Sequence, residues 1–189
     1  RIMLETFRNN FLWMVLGTSL SVGIGLLIAV LADRSKFESI YKSIIFMPMA
    51  ISFVGAGVIW KFVYTYRGKG VGIQEIGLLN AIVLALGGES QPWLSLPPWN
   101  NLFLIIIMVW LQTGFAMVSK YSAIKGIPAE LLEAARIDGA NEVQVFFKIT
   151  IPYIRGTLIT VSTTIIIFSL KLFDIVRVMT GGNNGTNVI

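Results

Sequence analysis

The sequence predicts an all-α membrane protein, a bundle of helices that crosses a bilayer several times. Of its 189 residues, 55% are hydrophobic and 13% are charged, and the mean hydropathy is +0.76. Soluble domains carry about 25% charged residues, so this chain has too little charge for an ordinary soluble surface. Its long uncharged runs also suit a bilayer core of roughly 30 Å, which about 20 helical residues span.

Four apolar stretches are long enough to be spans. They lie at about residues 10–32, 43–64, 101–120 and 155–176. The uncharged part of the fourth runs from Gly156 to Leu170, and we extend it past Lys171 because a long lysine side chain can reach the membrane surface. The sequence therefore predicts four crossings, each as one helix.

The distribution of positive charge predicts the orientation. Segments 33–42 and 119–155 fall on one side of the membrane and together hold eight basic residues, whereas the other side holds five. Lys and Arg are enriched in cytoplasmic loops, so these two segments are predicted to be cytoplasmic and residues 66–100 to form an extracytoplasmic loop. Within that loop, the apolar stretch 77–86 predicts a short helix.

The residue types that covalent chemistry needs are scarce. The chain has no Cys and no His, which removes the thiol nucleophile and the commonest general base and metal ligand. The "GKGVG" stretch at 68–72 lacks the G-x-x-x-x-G-K-[ST] spacing of a phosphate-binding loop. The sequence therefore predicts no enzyme, no catalytic residue and no metal site. The net charge of +5 fits cytoplasmic loops better than a nucleic-acid partner.

One charged, helix-forming segment, "LLEAARIDGANEVQVFFKITIP", interrupts the apolar chain between the third and fourth spans. Pro128 suits the first turn of a helix, and Gly139 is predicted to end that helix. Asp138 and Asn141 favour a turn and a new N-cap, after which a second helix would run to Pro152. The residues alone leave two interpretations open, a docking surface or an amphipathic connector that lies on the membrane.

This segment resembles the cytoplasmic signature of permease subunits of binding-protein-dependent ABC importers. That pattern is Glu-Ala-Ala, three residues, Gly, a spacer of nine, and then Ile-x-x-Pro or Ile-x-Leu-Pro. Here it reads Glu133, Ala134, Ala135, Gly139, Ile149 and Pro152, with Ile151 at the leucine position. "PWLSLP" and "FDIVRVMTGG" are similar to maltose-type carbohydrate permeases, and "SIIFMPMAISFVGAGVIWKFVY" is similar to their alpha-glucoside branch.

The resemblance implies the type I ABC importer permease fold, one transmembrane domain with a cytoplasmic coupling loop at 121–154. Such permeases have at least six spans, so the first and last would be missing and the chain would be a fragment. It also implies the residues that couple the chain to an ATPase: Glu133, Ala134, Ala135, Asp138, Gly139 and Pro152.

The resemblance further implies an assembly in a bacterial or archaeal plasma membrane. The partners would be a second permease subunit, two ATPase subunits, an extracytoplasmic solute-binding protein, membrane lipid, and a sugar such as an alpha-glucoside or related oligosaccharide. ATP and Mg would sit on the ATPase, with no cofactor on this chain. The alternatives are another solute, such as a polyol or glycerol phosphate, a secondary transporter, or a membrane scaffold subunit.

A polar stripe on the fourth span is the candidate sugar path. It comprises Thr160, Thr164, Lys171 and Asp174, with Thr157 one turn earlier. Hydroxyls and charges that face lipid are unfavourable, so the stripe should face protein or water. Two interpretations stay open. Either the threonines satisfy their own backbone carbonyls while Lys171 pairs with Asp174, or part of the stripe lines the path.

Overall fold

The computed structural model describes residues 2–33, 38–66, 77–96, 99–171 and 173–181, which form helices and contain no β-strand. This confirms the all-α prediction. The α-helices are α1 Ile2–Leu12, α2 Thr18–Asp33, α3 Glu38–Phe46, α4 Phe53–Tyr64, α5 Leu78–Ala85, α6 Asn100–Lys125, α7 Ala129–Ile137, α8 Glu142–Val145, α9 Ile151–Tyr153, α10 Arg155–Ser169 and α11 Phe173–Thr180. Short π-helical or 3-10 turns join several of them.

Two helices are each long and apolar enough to cross a membrane alone. One runs through α1 and α2 from Met3 to Ala32, and the other is α6. The first begins earlier than the predicted span because its charged residues, Glu5 and Arg8, are good helix formers and do not interrupt it. The two pack closely at Gly25, where an added Cβ would lie 2.7 Å from the Cβ of Ala116. These two helices form the core of the bundle.

Glycines 23 and 25 on α2 provide a matched test of this packing. Gly25→Ala places a methyl group against α6, and overpacking of this kind usually destabilises by about 1–3 kcal/mol. Gly23 has nothing within 4 Å of an added Cβ, so Gly23→Ala should be neutral or stabilising by up to about 1 kcal/mol. Thermal unfolding in detergent should therefore show a lower midpoint for Gly25→Ala alone. Equal midpoints would contradict the close contact.

The second predicted span, 43–64, is not one continuous helix. Segments 39–50 and 53–64 meet at a bend of 104°. The prediction of an unbroken span is wrong here for two local reasons. Pro48 lacks a backbone donor, and the Ser52 hydroxyl caps α4 by accepting a hydrogen bond from the Gly55 N–H at 3.1 Å.

Despite its bend, segment 38–64 follows α6 along most of its length. Near the Lys125 end of α6, the Lys42 ammonium lies 4.0 Å from the centroid of the Tyr121 ring. At the other end, the Tyr64 hydroxyl donates a hydrogen bond to the Phe103 carbonyl at 3.0 Å. The two ends of this segment therefore contact opposite ends of α6, which is itself long enough to cross a bilayer.

The fourth predicted span, 155–176, is also divided, because α10 ends at Ser169 and α11 begins at Phe173. The single-helix prediction is wrong here too, although the break contains no glycine or proline. The Ser169 hydroxyl donates to the Ile166 carbonyl at 2.7 Å, a local bond of the type that competes with helical hydrogen bonding.

The outer segment contains the predicted short helix as α5. Its Asn80 side chain is buried and joins three parts of the chain. It accepts hydrogen bonds from the Gln91 N–H and the Trp93 indole N–H, both at 2.9 Å, and donates to the Thr65 carbonyl at 3.1 Å. One amide thus holds α5 over the end of α4. The "GKGVG" stretch and two basic residues of the predicted inner loop, Arg34 and Lys36, lie outside the described residues.

The position of Lys120 corrects part of the charge argument. We counted Lys120 among the basic residues of the inner side, but its side chain is fully buried in the bundle. Its ammonium donates to the Val22 carbonyl at 2.7 Å and so links α6 to α2. The sequence did not reveal this because lysines at span ends usually extend to the surface. The inner side remains the more basic one without it.

Candidate functional site

The charged insert folds into a helix, a tight turn and a second helical stretch. Helix α7 ends where predicted, at Gly139, which has a φ of +81°. The Gly139 N–H donates to the Arg136 carbonyl at 3.1 Å, and the Ala140 N–H donates to the Ala135 carbonyl at 3.0 Å. This pair of bonds is a Schellman motif, which favours glycine because its backbone is left-handed at that position.

The second helical stretch begins at the predicted N-cap, Asn141. Its side chain and that of Gln144 exchange hydrogen bonds with each other's backbone in a capping box, each at 2.9 Å. An ion pair of 2.9 Å between Arg136 and Glu142 closes the turn. Both ends of the turn are therefore fixed by local bonds.

The second helical stretch ends at Tyr153, one residue beyond the predicted end at Pro152. A π-helical turn at 146–150 precedes the proline and places it in the first turn of α9, where a missing N–H does no harm. The Tyr153 hydroxyl then donates to the Gly126 carbonyl at 3.0 Å and ties the two ends of the insert together.

Most of the predicted coupling residues lie on the surface. Ala135 is partly buried, and the other five residues are exposed: Glu133, Ala134, Asp138, Gly139 and Pro152. Apolar side chains are exposed beside them: Ile137 is 85% exposed, Val143 65% and Phe147 64%. Exposed apolar side chains among charged ones occur on protein-binding and on membrane-binding surfaces, so both interpretations of the segment stay open at this point. We call this the loop surface.

A cavity of about 420 Å³ separates the loop surface from the ends of α2 and α6. Val30 and Ile124 line it from the bundle, and Leu132 and Phe146 line it from the insert. The insert therefore stands away from the bundle at this point. Its base remains attached through Ile127 and Ile154, both of which are buried.

The two broken helices meet at a second, smaller cavity, of about 220 Å³. It is lined by Met49, Ile51, Ser52, Phe53, Leu111, Gln112 and Phe168. Met49, Ile51 and Ser52 belong to the break before α4 and Phe53 begins α4, whereas Phe168 lies at the end of α10, next to the other break. We call this the central cavity because residue 112 is near the midpoint of α6.

Gln112 supplies the polar group of the central cavity that the sequence analysis overlooked. Its side chain is 5% exposed, and its amide makes no hydrogen bond to any other residue that the structure describes. The amide borders the central cavity, and polar residues at mid-membrane often mark a substrate path. The one sequence signal was a glutamine within the apolar run "LIIIMVWLQTGFAMV".

The structure does not bring the predicted polar stripe into the central cavity. The Thr164 hydroxyl donates to the Thr160 carbonyl at 2.9 Å, which is the first of the two interpretations for that residue. Lys171 and Asp174 are exposed, and the described side chains show no ion pair between them. The role of these four residues in the sugar path stays a prediction.

Replacing Thr160 and Thr164 with valine tests that role, because valine keeps their shape and removes the hydroxyls. If the stripe lines the path, the double variant changes the rate or preference of sugar uptake severalfold while assembly is unchanged. Uptake by the assembled importer across a panel of labelled glucosides is the measurement. Unchanged uptake of every glucoside would mean that neither hydroxyl contributes to the sugar path.

Comparison with known families gives one match that covers most of the chain. The family described as "Binding-protein-dependent transport system inner membrane component" matches residues 21–189. The chain is also 63% identical over 187 residues to the osmoprotective compounds uptake permease protein of Synechocystis sp.. It is 58% identical over 185 residues to the alpha-glucoside transport system permease protein of Rhizobium meliloti.

The chain is shorter than these relatives. The aligned regions are 99% and 98% of this chain but 66% and 54% of the two relatives. Among solved structures, a bacterial ABC transporter that imports alginate matches with a TM-score of 0.74 at 19% identity, over 96% of this chain and 59% of that one. A bacterial alginate ABC transporter in complex with its alginate pentasaccharide-bound periplasmic protein matches with a TM-score of 0.77. This match covers 97% of this chain and 62% of the transporter chain. At a sequence identity of 19%, these structural matches establish a shared fold.

Proposed function

Because the chain belongs to the binding-protein-dependent transport system inner membrane component family, we propose that it is a membrane-spanning subunit of an ATP-driven sugar importer. The family resemblance read from the sequence is thereby confirmed. The observation that carries the proposal is the family match over residues 21–189, which includes the loop surface. An alpha-glucoside or related oligosaccharide is the favoured solute, since the alpha-glucoside permease of Rhizobium meliloti is 58% identical.

We propose that the loop surface docks onto a separate ATPase subunit, which binds and hydrolyses ATP with Mg. Its exposed apolar side chains and acidic residues offer a partner both apolar area and charge, and the two capped helix ends hold them in one geometry. ATP binding would then favour one of two membrane arrangements through its differential contacts with this surface. Glu133, Ala134, Ala135, Asp138, Gly139 and Pro152 are the proposed coupling residues.

The central cavity is our proposed solute site within this subunit. Broken helices at mid-membrane leave backbone polar groups without helical partners, which transporters use to bind solutes. Gln112 can both donate and accept hydrogen bonds, as sugar hydroxyls do. At about 220 Å³, the cavity is below the roughly 300–1,000 Å³ usual for small-molecule sites. It would therefore hold part of an oligosaccharide, with the second permease subunit supplying the rest.

The proposed setting is the plasma membrane of a bacterium or archaeon, with residues 33–42 and 119–155 inside and 66–100 outside. The remaining partners would be a second permease subunit, a second ATPase subunit and an extracytoplasmic solute-binding protein. The solved alginate transporter with its periplasmic protein has the same fold in its membrane subunit, which supports a binding-protein partner here.

Reconstitution of the complete importer in proteoliposomes tests the proposed function. Uptake of a labelled alpha-glucoside should require ATP, the ATPase subunits and the loaded binding protein. Because one relative takes up osmoprotective compounds, the panel should also include a polyol, and glycerol phosphate covers the remaining alternative. Uptake driven by an ion gradient without ATP would indicate a secondary transporter and overturn the proposal.

A further inference from the structure

A third cavity, of about 700 Å³, lies at the opposite end of α4 from the central cavity. The end of α4, the turn at 93–95 and the end of α11 border it, and it is open on one side. Its walls include Lys61, Tyr64, Tyr66, Leu94, Ser95 and Thr180. We call it the outer cavity, since it adjoins segment 66–100, which is predicted to be extracytoplasmic.

The outer and central cavities lie along the same pair of chain segments. Lys61 follows Ser52 by nine residues, which is about 13 Å along a helix. Between them α4 touches α11: a Cβ added to Gly57 would lie 3.1 Å from Val178 Cγ1. This contact lies on α4 between the residues that line the two cavities, Ser52 on one side and Lys61 on the other.

One part of the outer cavity is apolar and firmly held. Leu94 and Met179 contribute aliphatic surface. The Tyr64 hydroxyl is bonded to the Phe103 carbonyl, and its ring centroid lies 5.1 Å from that of Trp60 and 5.7 Å from that of Phe103. These contacts fix the Tyr64 ring in the wall of the cavity, so that part of the wall is flat and rigid.

The other part offers hydrogen-bonding groups. The Tyr66 side chain is 40% exposed. Within the described chain, neither the Tyr66 hydroxyl nor the Lys61 ammonium makes a hydrogen bond to another residue. The described lining contains no carboxylate, so nothing in it would select a cation. Apolar and aromatic surface beside unpaired donors matches a pyranose ring, which has an apolar C–H face and a polar rim of hydroxyls.

We propose that the outer cavity is a second sugar subsite, which takes a hexopyranoside ring before it reaches the central cavity. Tyr66 stacks on the ring and Lys61 donates to its hydroxyls. This inference rests on the proposed function, since it assumes that the solute is a sugar. It adds a binding site at the extracytoplasmic end of the path.

A thiol-protection experiment measures occupancy of the outer cavity directly, because the sequence has no native cysteine. Ser95→Cys places a thiol in its wall, and Ser90→Cys places one on the same predicted side of the membrane but outside the lining. The complete importer, in detergent and without its binding protein, is treated with uncharged N-ethylmaleimide. An alpha-glucoside at increasing concentration should slow the labelling of Ser95→Cys severalfold and leave that of Ser90→Cys unchanged.

Two further substitutions test the assigned chemistry. In the Ser95→Cys background, Tyr66→Ala and Lys61→Met should each raise the half-protecting glucoside concentration about tenfold, which corresponds to the loss of one good contact. A polyol of similar size should protect poorly because it lacks a ring face. If Ser95→Cys fails to assemble, Thr65→Cys in the same wall serves as the reporter.

The outcomes separate this inference from the proposed function. If ATP-driven glucoside uptake is intact but the sugar gives no protection, the outer subsite is overturned and the importer stands. Three other results would also overturn the outer subsite. The glucoside could protect Ser90→Cys as well as Ser95→Cys, its half-protecting concentration could stay the same in Tyr66→Ala and Lys61→Met, or a polyol could protect as well as the glucoside does. If the parent importer takes up no sugar in an ATP-dependent manner, the proposed function itself fails.

Discussion

Gly139→Asp should abolish most sugar uptake by the assembled importer while the chain still inserts and assembles. An added Cβ at Gly139 has nothing within 4 Å, so the substitution creates no clash within this chain. Its φ of +81° adds a backbone penalty of about 1–2 kcal/mol. The larger effect comes from a charged side chain on the proposed docking surface. Because coupling energies of about 1–3 kcal/mol correspond to 5- to 150-fold effects, we expect a loss of that size in uptake and in transport-coupled ATP hydrolysis.

Gly87→Asp is the matched control for this prediction. Gly87 has a φ of +82° and nothing within 4 Å of an added Cβ. It ends α5 with the same pair of hydrogen bonds, from the Gly87 N–H to the Leu84 carbonyl and from the Gly88 N–H to the Val83 carbonyl. The backbone penalty is therefore shared, and only the location differs. Gly87→Asp should retain uptake; equal losses in both variants would mean that strain, and not docking, explains the effect at Gly139.

Gln112→Leu should lower sugar uptake about tenfold without lowering the stability of the protein. Leucine is similar in size to glutamine but offers no hydrogen bond, and one lost bond to a sugar hydroxyl is worth roughly that factor. The amide has no partner among the described residues. Its removal should therefore leave the thermal midpoint in detergent unchanged or raise it. Reduced uptake with retained or increased stability is the expected signature of a binding residue.

Thr113→Val is the neighbouring control. Thr113 is also buried, but its hydroxyl donates to the Val109 carbonyl at 2.6 Å and is satisfied within α6. Valine keeps its shape, so uptake should stay close to that of the parent protein. If Gln112→Leu transports as well as Thr113→Val does, the central cavity is not the solute site. If Gln112→Leu instead unfolds at a lower temperature, the glutamine has a structural role.

The composition and the local signals in the sequence determined the fold class and the candidate coupling segment. Low charge and long apolar runs led to a helical membrane protein, since a bilayer core admits few other structures. The turn at Gly139 and the cap at Asn141 were predictable because each is stabilised by bonds within a few residues. The family could be predicted because its signature is a set of residues at fixed spacing along one short segment, 133–152. Recognising that spacing requires no knowledge of the tertiary structure.

The breaks, the cavities and the buried lysine were decided by the tertiary structure. An apolar run such as 43–64 has the length of one crossing, and hydropathy alone cannot show that it bends by 104° beside α6. The division after Ser169 has no glycine or proline to mark it. Gln112 lines a cavity because two helix breaks that are distant in sequence lie beside it. Lys120 is buried because its ammonium finds an acceptor in a carbonyl of α2. These features depend on contacts between distant segments, and a periodic pattern along one segment does not encode which other segment it will meet.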